Sequence, residues 1–266
     1  MILVGGKYFI SGEKYYFGLI FFAGILFFKI INTGSLPNYL IIDSLIGVLG
    51  TAFLYSFLHQ QKIAFAQTII ILTAFHTIYA IIRYLFFYDI WLINIEETYE
   101  ILVEFINNNF GDEQENLLLF LDIVGKMRYF LINFQIAIWV FEMIFAFYAG
   151  VILLNKKIKI GLKHRQIKLP FETVYALILA AILAVFKTTQ LAGLNGLLVI
   201  APMFLIQGLG IIDFYWGKYF KKSKLLTILL VIAILFNYFI WLLIAILGLL
   251  DIWFDFRKIN YQENKT

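Results

Sequence analysis

Cysteine is absent from this chain, which excludes disulfides, thiolate metal sites and cysteine nucleophiles. Charge is scarce: 14% of residues are Asp, Glu, Lys or Arg, where a soluble domain carries about a quarter. The three histidines, His59, His76 and His164, are scattered and show no metal-ligand spacing. No Gly-Lys-Ser phosphate loop occurs, "GLG" at 208–210 is too short for a dinucleotide fingerprint, and no serine sits in a nucleophile elbow. "EETYE" lacks the arginine and intramembrane histidines that a glutamate-type membrane protease needs. No enzyme, cofactor or metal is therefore expected.

Apolar residues make up 62% of the 266, and the mean hydropathy is +0.89. A water-surrounded core does not absorb this much apolar surface, so part of the solvent is lipid. Seven segments reach the length of about 20 residues that a bilayer helix needs: roughly 15–34, 38–58, 63–88, 128–154, 170–191, 194–216 and 225–250. Unpaired backbone in lipid is too costly for anything but helices or closed barrels. The runs lack the alternation of a barrel strand. The expected fold is an all-α polytopic transmembrane bundle of about seven spans, one integral domain over 1–266, without internal repeats. The apolar run at the start has no small-residue cleavage site after it and is expected to be retained.

Basic loops set the orientation. Residues 155–169 carry Lys156, Lys157, Lys159, Lys163, Arg165 and Lys168 with no acid, and 217–224 carries four more lysines. Both are expected in the cytoplasm, which accounts for them without nucleic acid. The connection 93–127 belongs to a stretch, 89–127, that holds nine of the seventeen acids, and it is expected outside. This topology puts the N-terminus inside and the C-terminus outside, in a cell membrane. Within the outer connection, Ile95, Tyr99, Leu102 and Ile106 recur at helical spacing opposite Glu96, Glu97, Glu100 and Glu104, giving an amphipathic helix that "NNNFG" breaks. Asp112 with Glu115 suits a capping box for the next helix. The segment is either a passive connector or a lid.

Ionisable residues inside spans are costly and are candidates for function. Glu142 lies near the middle of the 128–154 run. Arg128, Gln135 and Glu142, seven apart, fall within about 40° on a helix. Thr68, His76, Tyr79 and Arg83 fall within an arc of about 80°. Lys29, Arg83 and Lys187 put three cations in the outer half, a pattern that suits an anionic or zwitterionic solute. Each also has a plain reading: a hydrogen-bonded carboxyl, a packed histidine, or cations snorkelling to the interface. In the last run, Asn237, Trp241, Gly248, Asp251 and Asp255 share one stripe within about 40°. That stripe is either a helix end docked on its neighbours or a fixed polar contact to a loop, an ion or a partner. Trp253 suits the interfacial aromatic belt.

The stretch from about 95 to 258 resembles the YybS-like family of uncharacterised bacterial multipass membrane proteins. The likeness rests on the acidic outer helix, the basic loop ending in "KLP", Asn195 in "GLNGLLV", Gln207 and Gly208 in "IQGLGIIDFY", and Gly248, Asp251, Trp253, Asp255 and Arg257 in "GLLDIWFDFR". The first 90 residues lack the glycine-rich hairpins of that family. The resemblance implies a membrane protein and no defined activity. More weakly, such proteins are similar to the membrane subunits of vitamin-type importers and to the shape-system membrane protein MreD. The sequence thus leads to a small-solute binding or transport component centred on Glu142, with Gln135, Arg83, His76 and Lys187 around it. The alternative is a membrane scaffold or assembly protein that meets membrane or cytosolic protein partners.

Overall fold

The computed structural model describes residues 41–110, 114–158, 164–223 and 237–258, together with Leu225, Ile228, Leu229 and Ile232. The first expected span with Lys29, the Asp112 end of the capping box and most of 224–236 lie outside the described residues. Within them the protein is an all-α membrane bundle of seven α-helices with no strand. A π-helical stretch, Asp43–Gly50, leads into α1 (Thr51–Gln60). Then come α2 (Phe65–Phe110), α3 (Gln114–Asn133), α4 (Gln135–Ile158), a 3-10 turn (His164–Gln166), α5 (Glu172–Val185), α6 (Gln190–Lys222) and α7 (Tyr238–Phe254). Among the described residues, three helices are long and apolar enough to cross a membrane: α2, α4 over Gln135–Leu153, and α6 over Gln190–Phe220.

The expected break between the third span and the outer amphipathic helix does not exist. No proline or glycine falls between 65 and 110, and one helix of 46 residues runs through both. At 1.5 Å per residue it is about 69 Å long, more than twice the bilayer core of about 30 Å. Its far part packs against α3. Ile95 and Ile106 are buried there, and Arg128 of α3 forks onto Glu96, with Nε–Oε2 2.7 Å and Nη2–Oε1 2.5 Å.

Phe134 separates α3 from α4, so Arg128 does not share a helix with Gln135 and Glu142. In an unbroken helix the Ala137 N–H would bond the Asn133 carbonyl. Here the Asn195 side chain from α6 enters the gap: Nδ2 donates to Asn133 O at 2.9 Å, and Oδ1 accepts from Ala137 N at 3.4 Å. An inserted side chain is a recognised cause of a helix break. The core lies between α2, α4 and α6, where Leu72, Val140, Ile144, Phe147 and Ile206 are buried.

Lipid tails are as apolar as Leu, so helices in a membrane gain most by close packing of small residues. The α6–α7 crossing follows this rule: a Cβ on Gly208 would collide with Ile244 O, and one on Gly248 with Phe204 O. Contacts on either side of the crossing fix its direction. Phe141 of α4 stacks on Trp241 at 4.7 Å, and Tyr215 Oη donates to Phe256 O at 2.6 Å. Residue numbers rise together along α4, α6 and α7, so the three run the same way, and α5 returns between α4 and α6. This corrects the expected last span. Residues 225–250 do not form one continuous helix. Asn237 is extended (φ −133°, ψ 100°) and caps α7 by accepting the Phe239 N–H at 2.9 Å, instead of sitting on a helical stripe. The turn after α7, Asp255–Lys258, then lies beside the described part of the basic loop, Arg165–Lys168.

Candidate functional site

Two buried polar clusters emerge. The first joins the π-helical stretch, α1, α2 and α4. Asp43, an acid inside an apolar run, is buried. It accepts Tyr79 Oη at 2.7 Å and Arg83 Nε at 3.0 Å to each carboxylate oxygen. Arg83 is only 8% exposed, so it does not snorkel; Asp43 neutralises it in place. The contact uses Nε alone and leaves the terminal amino groups to other partners. The guanidinium carbon lies 5.1 Å from the Trp91 ring centre and 4.9 Å from that of Trp139. Both indole Nε1 atoms are buried and have no acceptor among the described residues.

His76, fully buried on the same face of α2, has a structural partner. Its Nε2 is 2.9 Å from Thr51 Oγ1, and that hydroxyl gives its single proton to Gly47 O. Thr51 therefore accepts, His76 carries its proton on Nε2, and Nδ1 is the lone-pair nitrogen without a partner. Thr68, one helical face with His76, Tyr79 and Arg83, is buried and bonds its own backbone at Ala64 O.

The other expected members of this site are not drawn together. Glu142, three residues past Trp139, is exposed and makes no hydrogen bond or ion pair among the described residues, although it lies within electrostatic range of Arg83. Gln135 is buried two turns earlier, at the start of α4, with Nε2 unpaired. Lys187 is exposed in the turn between α5 and α6, outside any helix. No contact joins Gln135 or Lys187 to Arg83 among the described residues. The buried ion pair of this cluster is Arg83 with Asp43; Glu142 is not part of it.

The second cluster contains Gln207, Asp251, Asp255 and Arg257 of the C-terminal motifs. Gln207, fully buried, accepts the Leu169 N–H on Oε1 at 2.8 Å and donates through Nε2 to Asp251 Oδ2 at 3.1 Å. Arg257 donates to Asp251 Oδ2, to Arg165 O at 2.9 Å and to Ile167 O at 2.7 Å. The chain reaches this geometry because α7 stops at Phe254 and Asp255 turns left-handed, at φ 42° and ψ 54°. The basic loop is further tied by Arg165 to Asp213 at 2.8 Å and by Lys168 to Asp255 at 3.1 Å. His164 meets the Tyr148 hydroxyl, and its Nδ1 is 3.8 Å from Asp213 Oδ2. Burial holds this imidazole below its ordinary pKa, with Asp213 opposing the shift. Trp253 is exposed and meets Phe171 edge to face. This cluster spends nearly all its polar groups on backbone and ion pairs; among the described residues, its buried Asp251 Oδ1 and Arg257 Nε have no partner. Its arrangement fixes a loop. The Arg83 cluster leaves two indole N–H donors side by side with an arginine, where the second leaves the single Arg257 Nε–H.

Sequence reasoning missed Asp43, Trp91, Trp139 and Asp213. Asp43 was findable, as an acid within the 38–58 run. The tryptophans carried no signal, because indoles are ordinary in membrane helices.

Long apolar helices packed by small residues, with ion pairs sealed inside, define an integral membrane protein of the all-α class. Residues 7–252 match the family described as Predicted membrane protein (DUF2232), and the chain belongs to that family. No curated protein and no solved structure matches it.

Proposed function

We propose that this protein is a small-solute binding or transport component of a bacterial cytoplasmic membrane, with the Arg83 cluster as its binding site. One observation carries the reading: two buried indole N–H groups without acceptors among the described residues stand beside a nine-tenths-buried arginine that spends only Nε on its counter-ion. Buried donors are normally paired, and an exception calls for a partner. The unpaired carboxylate of Glu142, within range of Arg83, adds a second charge that a solute or a proton can meet. The YybS-like resemblance, and through it the likeness to importer membrane subunits, agrees with this reading. The sequence has no nucleotide-binding loop, so energy comes from a partner protein or an ion gradient.

The proposed topology keeps the N-terminus and both basic loops in the cytoplasm. Contact with the basic loop brings the C-terminal turn to the cytoplasmic side as well, and the α2–α3 hairpin projects outward. That hairpin favours a second reading, a scaffold whose exposed Glu97, Glu100 and Glu104 meet an envelope partner. Native mass spectrometry of protein released gently from its own membranes separates the two. Binding predicts a reproducible small molecule that the Trp91→Phe/Trp139→Phe variant loses. A protein partner released with no small molecule moves the reading to the scaffold.

A further inference from the structure

We infer that the cavity between α2 and α3 admits a small organic monoanion, an apolar or aromatic body with one carboxylate, and that Arg83 and the indole N–H groups of Trp91 and Trp139 receive that carboxylate. This rests on the binding reading above and names the chemistry of the ligand.

The cavity has a volume of about 210 Å³; its wall is apolar at Trp91, Leu102, Val124 and Met127 and polar at Thr98 and Arg128, among others. At roughly 30 Å³ per water it holds about seven waters' worth of solute, the size of a small organic acid. Trp91 forms part of its wall, and the same ring lies against the Arg83 guanidinium. The cavity and the polar cluster therefore share one side chain.

The unspent groups at that junction are donors. Asp43 is already engaged by Tyr79 and by Arg83 Nε. The Arg83 guanidinium lies over the rings of both indoles, so their remaining capacity is N–H. A carboxylate has two oxygens and about four lone-pair directions, which match two indole donors and an arginine edge. Asp43 cancels Arg83, and Glu96 cancels Arg128 at the cavity wall, so neutral N–H donors and an arginine edge hold one carboxylate rather than a surplus of positive charge. A second anionic group would find no counter-charge. The apolar part of the wall, Leu102, Val124, Met127 and Leu131, accommodates the rest of the molecule.

The test is calorimetric titration of the full chain in lipid nanodiscs with benzoate, phthalate, benzylamine and benzyl alcohol. Saturable binding of benzoate is expected, with each of the other three at least tenfold weaker. Trp91→Phe and Trp139→Phe keep a ring and remove an N–H; each is expected to weaken benzoate at least fivefold while the melting temperature stays within a few degrees. Val124→Phe, which fills the cavity from α3, is expected to abolish binding. Benzylamine or benzyl alcohol binding as tightly as benzoate overturns the inference. So do unchanged affinity in both tryptophan variants and the absence of any saturable benzoate response. If benzoate fails but native mass spectrometry still retains a small molecule, the binding reading stands and only the ligand class is wrong. If nothing is retained, both fall.

Discussion

Arg257 closes back on Asp251, six residues earlier in the chain, with Nη2 2.5 Å from Oδ2 and both side chains shut off from solvent. The same guanidinium holds two carbonyls of the basic loop, so one side chain fastens the end of α7 to the α4–α5 connection. Removing one partner of a buried pair leaves the other charge uncompensated. Arg257→Met is expected to destabilise the protein by about 3–5 kcal/mol in reversible unfolding from detergent. The double variant Asp251→Leu/Arg257→Met is expected to lose less than Arg257→Met alone. Equal or additive losses would mean that the pair is not energetically coupled.

Asn195 replaces a backbone hydrogen bond at the α3–α4 break. Asn195→Ala leaves a buried carbonyl and an amide to find other partners, which costs about 1–3 kcal/mol. Hydrogen exchange of the 130–138 segment is the readout. Faster exchange there, with the α5–α6 hairpin unchanged, is expected.

Gly208 and Gly248 let α6 and α7 touch backbone to backbone. A methyl group at either position forces the helices apart. Gly248→Ala is expected to cost about 1–3 kcal/mol, the range for overpacking, and to lower the melting temperature. A neutral result would show that the crossing has slack.

Much of this was legible before any coordinates. Apolar runs fixed the helical class, and the arc of His76, Tyr79 and Arg83 is a matter of 3.6-residue geometry. Partners across helices were not legible, because no local spacing records that Asp43 meets Arg83 or that Asn195 reaches Asn133. The direction of α7 was misread for a related reason. Parity counts each apolar run as one crossing, and the break at Asn237 leaves no trace in hydropathy, since its flanks are apolar on both sides. Arg257 and Lys258 beside the basic loop were the one local hint.

The direction of α7 is testable because the chain has no cysteine of its own. Ser223→Cys and Lys258→Cys are expected to react with an impermeant maleimide from the same side of sealed vesicles. Glu100→Cys on the α2–α3 hairpin is expected to react from the other side. Labelling of Lys258→Cys together with Glu100→Cys would contradict the helix order described above.

His164 makes the basic-loop cluster sensitive to acid. Burial holds its pKa below the ordinary 6.5, Arg257 and Arg165 add to that effect, and Asp213 opposes it. Below pH 6.5 the unfolded chain therefore binds a proton that the folded chain resists, so stability falls as pH drops from 6.5 toward the folded value. Melting temperatures between pH 7.5 and 5.5 are expected to fall in the wild type and to fall less in His164→Gln. Identical slopes would remove His164 from the account.

The most direct test of the central claim observes the two unspent donors themselves. The protein has five tryptophans, so its ¹⁵N-labelled indole resonances are few and can be assigned by single Trp→Phe variants. On addition of benzoate, the Trp91 and Trp139 indole protons are expected to move downfield together and saturably, as N–H groups do on gaining a charged acceptor, while the other three stay in place. Resonances of Trp91 and Trp139 that do not respond to any carboxylate would contradict the claim that these donors, with Arg83, form an anion-binding site.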